Sequence, residues 1–209
     1  MNLAHIVPRL VDRDPTAPAL TYYDDSSGER IEVSARVLSM WASKASHWLT
    51  DEMLVDAGGR VLLDLPPRHW RSIYWTFAVW SVGAEIRTSA GPPGVDAVVA
   101  MAPGSGDIVE PEASLAMSQL TAFPDRFGAI VDVAPHDLAM DGRTYADLSS
   151  SFACAAGERV MLVDTDVPET LRLVACVLAS GGSVVLVRSE DETRRAARMA
   201  DEGVDRVVG

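Results

Sequence analysis

The chain has 209 residues, 48% of them hydrophobic and 23% charged, the balance of an ordinary globular domain long enough to bury a core. Eighteen basic residues against thirty acidic ones leave a net charge of −12. That charge excludes nucleic acid as a partner, because affinity for a polyanion comes from basic groups that neutralise phosphate.

The opening, MNLAHIVPRLVDRDPTAP, lacks the apolar run and cleavage site of a secretory signal. The apolar stretches Ile73 to Ile86 and Leu173 to Val187 are too short for a membrane span, so a cytoplasmic protein without a membrane partner is expected. Cys154 and Cys176 stand in apolar helical patterns and are expected as free thiols acting as small hydrophobes. Lys44 is the only lysine among the basic residues.

In chain order, Asn2 to Val11 reads as a short amphipathic helix closed by the polar DRDPTAP. ALTYYD and RIEVS are β-rich runs joined by DSSG, a hairpin signal in which Gly28 is free to take a positive φ. Ser34 is placed to cap a helix reaching about Leu49, with Val37, Leu38, Trp41, Ala45 and Trp48 on one stripe. After Gly58–Gly59, RVLLDLP is the nearly continuous apolar strand of a buried parallel sheet. Pro66–Pro67 stops it and opens a helix from Arg68 to about Val82, ended by Gly83.

AEIRTS and DAVVAMA read as further strands, separated by a GPPG turn, and PGSGD as the turn that follows. SLAMSQL is expected as another strand. Thr121 to Met140 is expected as loop with one short strand around Ile130, and Asp141 as the cap of a helix from Gly142 to about Ala153. The last quarter alternates strand RVMLV, helix Pro168 to Ala179, strand SVVLV, helix Glu190 to Glu202 and strand DRVV. Arg194, Arg195 and Arg198, set among acids, read as a solvated helix face. This alternation predicts a layered α/β fold: one domain over residues 1–209, with mostly parallel sheets flanked by helices.

TYYDDSSGERIEVSARVLSMWASKAS, then VLLDLPPRHWRSIYWTFAVWSVGAEI, then the segment from Arg159 to Val208 resemble, in order and spacing, the opening of the adenylate-forming superfamily. That superfamily contains the acyl-CoA synthetases and the peptide-synthetase adenylation domains. The resemblance covers roughly 120 residues and implies the first part of that large N-terminal domain. Its members carry a Ser/Thr/Gly-rich loop with a lysine between these blocks, wrapping the ATP phosphates. Residues 102–158 contain no such run, and the downstream Tyr-Gly-x-Thr-Glu motif, ribose-binding aspartate and small C-terminal domain have no counterpart either. Lys44, in the first long helix, cannot replace the catalytic lysine. No residue takes a family catalytic role.

Gly104, Ser105 and Gly106 are the nearest thing to a phosphate cradle, though Pro, Gly, Ser and Asp simply make turns as a rule. Asp64, inside an apolar strand, either reaches the sheet's C-terminal edge or pairs with Arg68 or Arg71. His136 beside Asp137 is an ordinary loop pair. The five tryptophans, from Trp41 to Trp80, are expected in the core, with an apolar groove or a subunit contact as alternatives. No metal site and no cofactor are expected. The function expected is that of a non-catalytic binding or interaction module. A subunit of a split acyl-adenylating enzyme and a weak nucleotide or acyl-CoA binder are the alternatives. Because the chain stops after an apolar strand, a homodimer is also expected.

Overall fold

The computed structural model describes residues 3–92 and 94–209, so Asn2 of the first predicted helix and Pro93 of the GPPG turn lie outside the described residues. In chain order the elements are α1 (Ile6–Arg13), β1 (Pro18–Asp24), β2 (Glu29–Ser34), α2 (Ala35–Asp51), β3 (Arg60–Asp64), α3 (Trp70–Ser81), β4 (Glu85–Arg87), β5 (Ala97–Ala100) and β6 (Ile108–Val109). They continue with β7 (Leu138–Met140), β8 (Arg143–Thr144), α4 (Tyr145–Ser150), β9 (Arg159–Leu162), α5 (Val167–Ala179), β10 (Ser183–Arg188), α6 (Arg195–Glu202) and β11 (Arg206–Val208).

Two sheets result. The first has the order β11-β9-β10-β1-β2, parallel except at the β1–β2 hairpin. The second has the order β6-β5-β3-β4-β7-β8, antiparallel only at β7–β8. The predicted neighbours RVLLDLP, AEIRTS and DAVVAMA are adjacent in one sheet, and RVMLV, SVVLV and DRVV in the other.

Local chemistry explains the hairpin and the helix after it. Asp24 accepts from Ser26 N at 2.9 Å and Ser26 Oγ at 2.6 Å, and Gly28 sits at φ +75°, so the chain reverses. Ser34 then accepts from Val37 N and starts α2. All twelve residues of α3 are buried, and the helix packs against β1 of one sheet and β3 and β4 of the other. It is the shared core. Trp75 meets Trp48 edge-on at 5.7 Å, and Trp41 stacks on Tyr74 at 5.8 Å, geometries that add to the area these rings bury. Within β10, Val184 and Leu186 face this core. Val185 and Val187 face a smaller cluster with Met161, Val163 and Met199 of α6, the alternation a pleated strand imposes.

Five expectations are corrected. SLAMSQL is not a strand, because the carbonyls of Ala113, Ser114 and Ala116 accept from Arg71 instead of a ladder; Ser118 then caps a 3₁₀ turn, Gln119–Ala122. No strand forms at Ile130; the strand of that region is β7. Asp141 does not cap a helix: with Gly142 it takes positive φ (46° and 79°), the Asp-Gly turn of the β7–β8 hairpin. The helix starts only at Tyr145, where Thr144 and Asp147 form a capping box. Cys154 and Cys176 are not free thiols but a disulfide that ties the segment before β9 to α5. Arg198 is not a solvated residue: it is buried, paired with Asp25 at 2.5 Å and stacked on the Tyr23 ring.

Candidate functional site

Open α/β sheets place ligands beyond the carboxyl ends of their strands. Here the carboxyl ends of β3, β9, β10 and β1 are brought together by the connection from β3 to α3. Arg68, at φ +56°, cannot be helical, so α3 starts two residues later than the sequence suggests, with His69 as its cap. A non-glycine residue held there costs about 1 kcal/mol. What offsets it is the guanidinium, whose Nε donates to Val187 O at 2.9 Å and Nη1 to Thr165 O. Arg68 therefore fastens one sheet to two strand ends of the other.

His69 is fully buried beside it. Its Nδ1 accepts from Arg71 N at 3.2 Å, so the proton sits on Nε2 and points to Glu112 O at 3.2 Å. Burial, reinforced by the nearby Arg71 and Arg188 charges, depresses its pKa to about 3. Arg188, at the end of β10, donates to the Glu112 carboxylate at 2.7 Å and lies 3.8 Å from that of Asp24.

The segment after β6 closes over this junction. Arg71 and Glu110 are both buried and 3.3 Å apart. Glu110 also accepts from Trp75 Nε1 at 3.0 Å and Ser118 Oγ at 3.2 Å. Arg71 Nη2 donates to the carbonyls of Ala113, Ser114 and Ala116. Glu29 of β2 accepts from both N and Oγ of Ser114 at 2.9 Å. Residues 110–118 are thus clamped between the two sheets.

The residues singled out from sequence lie at the margin of this arrangement. Asp64 is exposed at the C-terminal end of β3, while Arg68 and Arg71 turn to the carbonyls and the carboxylate just described. Gly104, Ser105 and Gly106 follow β5. Ser105 Oγ and N both donate to Ala102 O, at 2.6 and 3.2 Å. A Cβ on Gly106 would come within 2.9 Å of the Val98 and Ile108 carbonyl oxygens. The turn is packed against its own strands, and β6 rather than a helix follows. His136 is exposed and 3.9 Å from Asp137. Among the described residues, no group of three His, Cys, Asp or Glu side chains is placed to hold a metal ion, and no helix is long and apolar enough to cross a membrane.

The junction residues His69, Glu110, Glu112 and Arg188 were not anticipated. The one available signal was the pair of acids in IVEPEASL, whose partners come from α3 and β10, far away in sequence.

The arrangement of two sheets sharing one buried helix is matched in known structures. It superposes on the N-terminal domain of FACL13 from Mycobacterium tuberculosis with a TM-score of 0.74 and 16% identity, over 98% of this chain and 61% of that one. The fold is that of the N-terminal part of the adenylate-forming enzymes. A Brucella canis acyl-CoA synthetase matches with a TM-score of 0.77 and 16% identity, over 99% of this chain and 47% of that one. NpsA-ThdA, an artificially fused adenylation–PCP di-domain from Klebsiella oxytoca, matches with a TM-score of 0.72 and 12% identity over 99% and 42%. The chain therefore spans less than two thirds of the length of each of these three structures. By sequence it is 29% identical over 234 residues to a TIGR03089 family protein of Mycobacterium tuberculosis (strain ATCC 25618 / H37Rv), covering 97% of this chain and 96% of that protein. No family model matches the chain.

Proposed function

We propose that the protein is a non-catalytic relative of the adenylate-forming enzymes and works as a binding or interaction module. The observation that carries this is the state of residues 102–118. Where the resemblance would put an open, lysine-bearing phosphate loop, this chain has a turn whose serine is bonded back to Ala102. The segment beyond it is clamped by Arg71, Glu110 and Glu29. Phosphoryl and adenylyl transfer depend on donors aimed at the reacting phosphates, and here the donors are aimed at the protein's own carbonyls and carboxylates.

ATP–pyrophosphate exchange tests this directly. With Mg²⁺ and a panel of aliphatic and aryl carboxylic acids, no acid-dependent exchange above blank is expected from the purified chain. Acid-dependent exchange would overturn the proposal. A thermal-shift screen over ATP, AMP, CoA and acyl-CoAs, run in parallel, separates a surviving nucleotide or acyl-CoA pocket from a module that binds none of them.

A further inference from the structure

In a chain with thirty acids and eighteen bases, cations should find partners, and nearly all do. Among the described residues every arginine except Arg9, Arg36 and Arg126 bonds a carboxylate or a carbonyl oxygen. Two of those three line the same groove. It has a volume of about 360 Å³ and is walled by Val11, Arg36, Ser39, Met40, Asp125 and Arg126.

The groove is built on fixed elements. Arg36, Ser39 and Met40 stand on one face of α2, three and four residues apart. Val11 comes from α1. Asp125 and Arg126 come from a loop that α2 itself holds in place. Lys44 Nζ donates to Thr121 O at 3.1 Å and Phe123 O at 2.5 Å, His47 Nε2 lies 3.0 Å from Arg126 O, and Ser43 Oγ is 3.5 Å from Pro124 O. The chain's one lysine is therefore used to set the wall that carries Arg126.

Two guanidinium groups and one carboxylate leave the groove with a single positive charge, and among the described residues none of the three is in an ion pair. Met40 and Val11 give it an apolar side, and Ser39 adds a hydroxyl. We infer that this groove is a binding site for a small organic monoanion with a short apolar body, the anionic group lying between Arg36 and Arg126 and the body on Met40 and Val11. Charge-assisted hydrogen bonds from guanidinium are the strong ones available to such a ligand. A monoanion neutralises the single net charge of the groove, and phosphate has no apolar body to place on Met40 and Val11. The site lies away from the clamped junction and stands whether or not that junction binds a nucleotide.

Titration of ¹⁵N-labelled protein with 1-butanesulfonate, followed by amide NMR shifts, tests the assignment; inorganic phosphate and butylammonium serve as comparators. Saturation below about 10 mM is expected, the range of a small ligand with one charged anchor. Shifts should centre on Val11, Arg36, Ser39, Met40 and Arg126, and phosphate should bind more weakly. Arg36→Gln and Arg126→Gln should each weaken binding about tenfold or more. Asp125→Asn should tighten it, and Arg9→Gln should leave it unchanged. These side chains are exposed and unbonded, so the variants should keep the parent melting temperature. No saturation, equal response to butylammonium, or full binding by the Arg36→Gln/Arg126→Gln double variant would overturn the site. Phosphate binding as tight as butanesulfonate would overturn the role of Met40 and Val11.

Discussion

Glu110→Gln keeps the shape of the side chain and one oxygen for Trp75, but removes the charge that balances Arg71. Both groups are buried and 3.3 Å apart, so the substitution leaves an uncompensated cation in the core. Breaking such a pair from one side costs about 3–5 kcal/mol. The lower end is expected here, about 3 kcal/mol, because Arg71 keeps its three carbonyl acceptors and the Tyr74 hydroxyl at 3.4 Å. Against a total of about 5–15 kcal/mol for a domain, that is a large fraction. In urea, with a slope of about 2–3 kcal/mol per molar, the midpoint should fall by about 1 M or more. Trp75 donates to Glu110 at 3.0 Å, so its fluorescence should report the change locally as well as globally. Arg71→Met should cost at least as much, and the double variant should cost clearly less than the two single losses added together. A loss below about 1 kcal/mol for Glu110→Gln, or strict additivity in that cycle, would refute the clamp.

The pH dependence has a definite sign. His69 has its folded pKa depressed by burial to about 3 from 6.5, so its contribution is complete above pH 6.5 and is lost as pH falls towards 3. Burial alone would raise the Glu202 pKa, but donation from Tyr23, Arg30 and Arg159 outweighs it and holds the group near 2, which adds a further loss below 4.5. Urea midpoints should stay level from pH 8 to about 6.5, decline from there to pH 4.5 and decline more steeply from pH 4.5 to 3; a flat profile from pH 6.5 to 3 would contradict both assignments. Reduction of Cys154–Cys176, which closes 22 residues, should lower stability by about 3 kcal/mol; two titratable thiols in protein never exposed to reductant would refute the bond. A homodimer is proposed through β11, the outer strand of its sheet, whose open edge can pair with a second copy. Light scattering should then give about twice the chain mass of 22.4 kDa, and a monomer mass over a wide dilution range rules it out.

Most of the fold was legible because its signals are local. Continuous apolar runs, Ser34 as a cap and Gly28 in a turn act within a few residues, and the alternation of strands and helices follows from them. The misreadings share a cause: each depends on a distant partner or on a competing short motif. SLAMSQL has the composition of a strand, but Arg71, more than forty residues earlier, takes its carbonyls. Asp141 looks like a cap until Asp-Gly is seen as a hairpin turn. Arg198 looks solvated until Asp25, 173 residues away in sequence, is placed beside it. The expected cytoplasmic setting and the Cys154–Cys176 bond also pull apart, since cytosolic thiols are kept reduced. The paired arginines of the groove were invisible for the same reason: Arg36 and Arg126 are ninety positions apart, and neither belongs to a basic run.

The junction of strand ends and the groove on α2 differ in what a ligand would have to displace. At the junction Arg68 already holds Thr165 and Val187, Arg188 holds Glu112, and residues 110–118 are clamped by a buried ion pair. Opening it means giving up several charge-assisted hydrogen bonds. If the open form lies about 3 kcal/mol above the closed one, any ligand there binds a state populated at under one per cent, and its apparent affinity falls by the same factor. On α2 nothing has to move. Among the described residues the side chains of Arg36 and Arg126 have no partner to give up, and the loop carrying Arg126 is already fixed by Lys44 and His47. The strand-end junction is thus filled by the chain's own side chains. Arg36 and Arg126 stand instead in the groove on α2, and that is where binding costs this chain least.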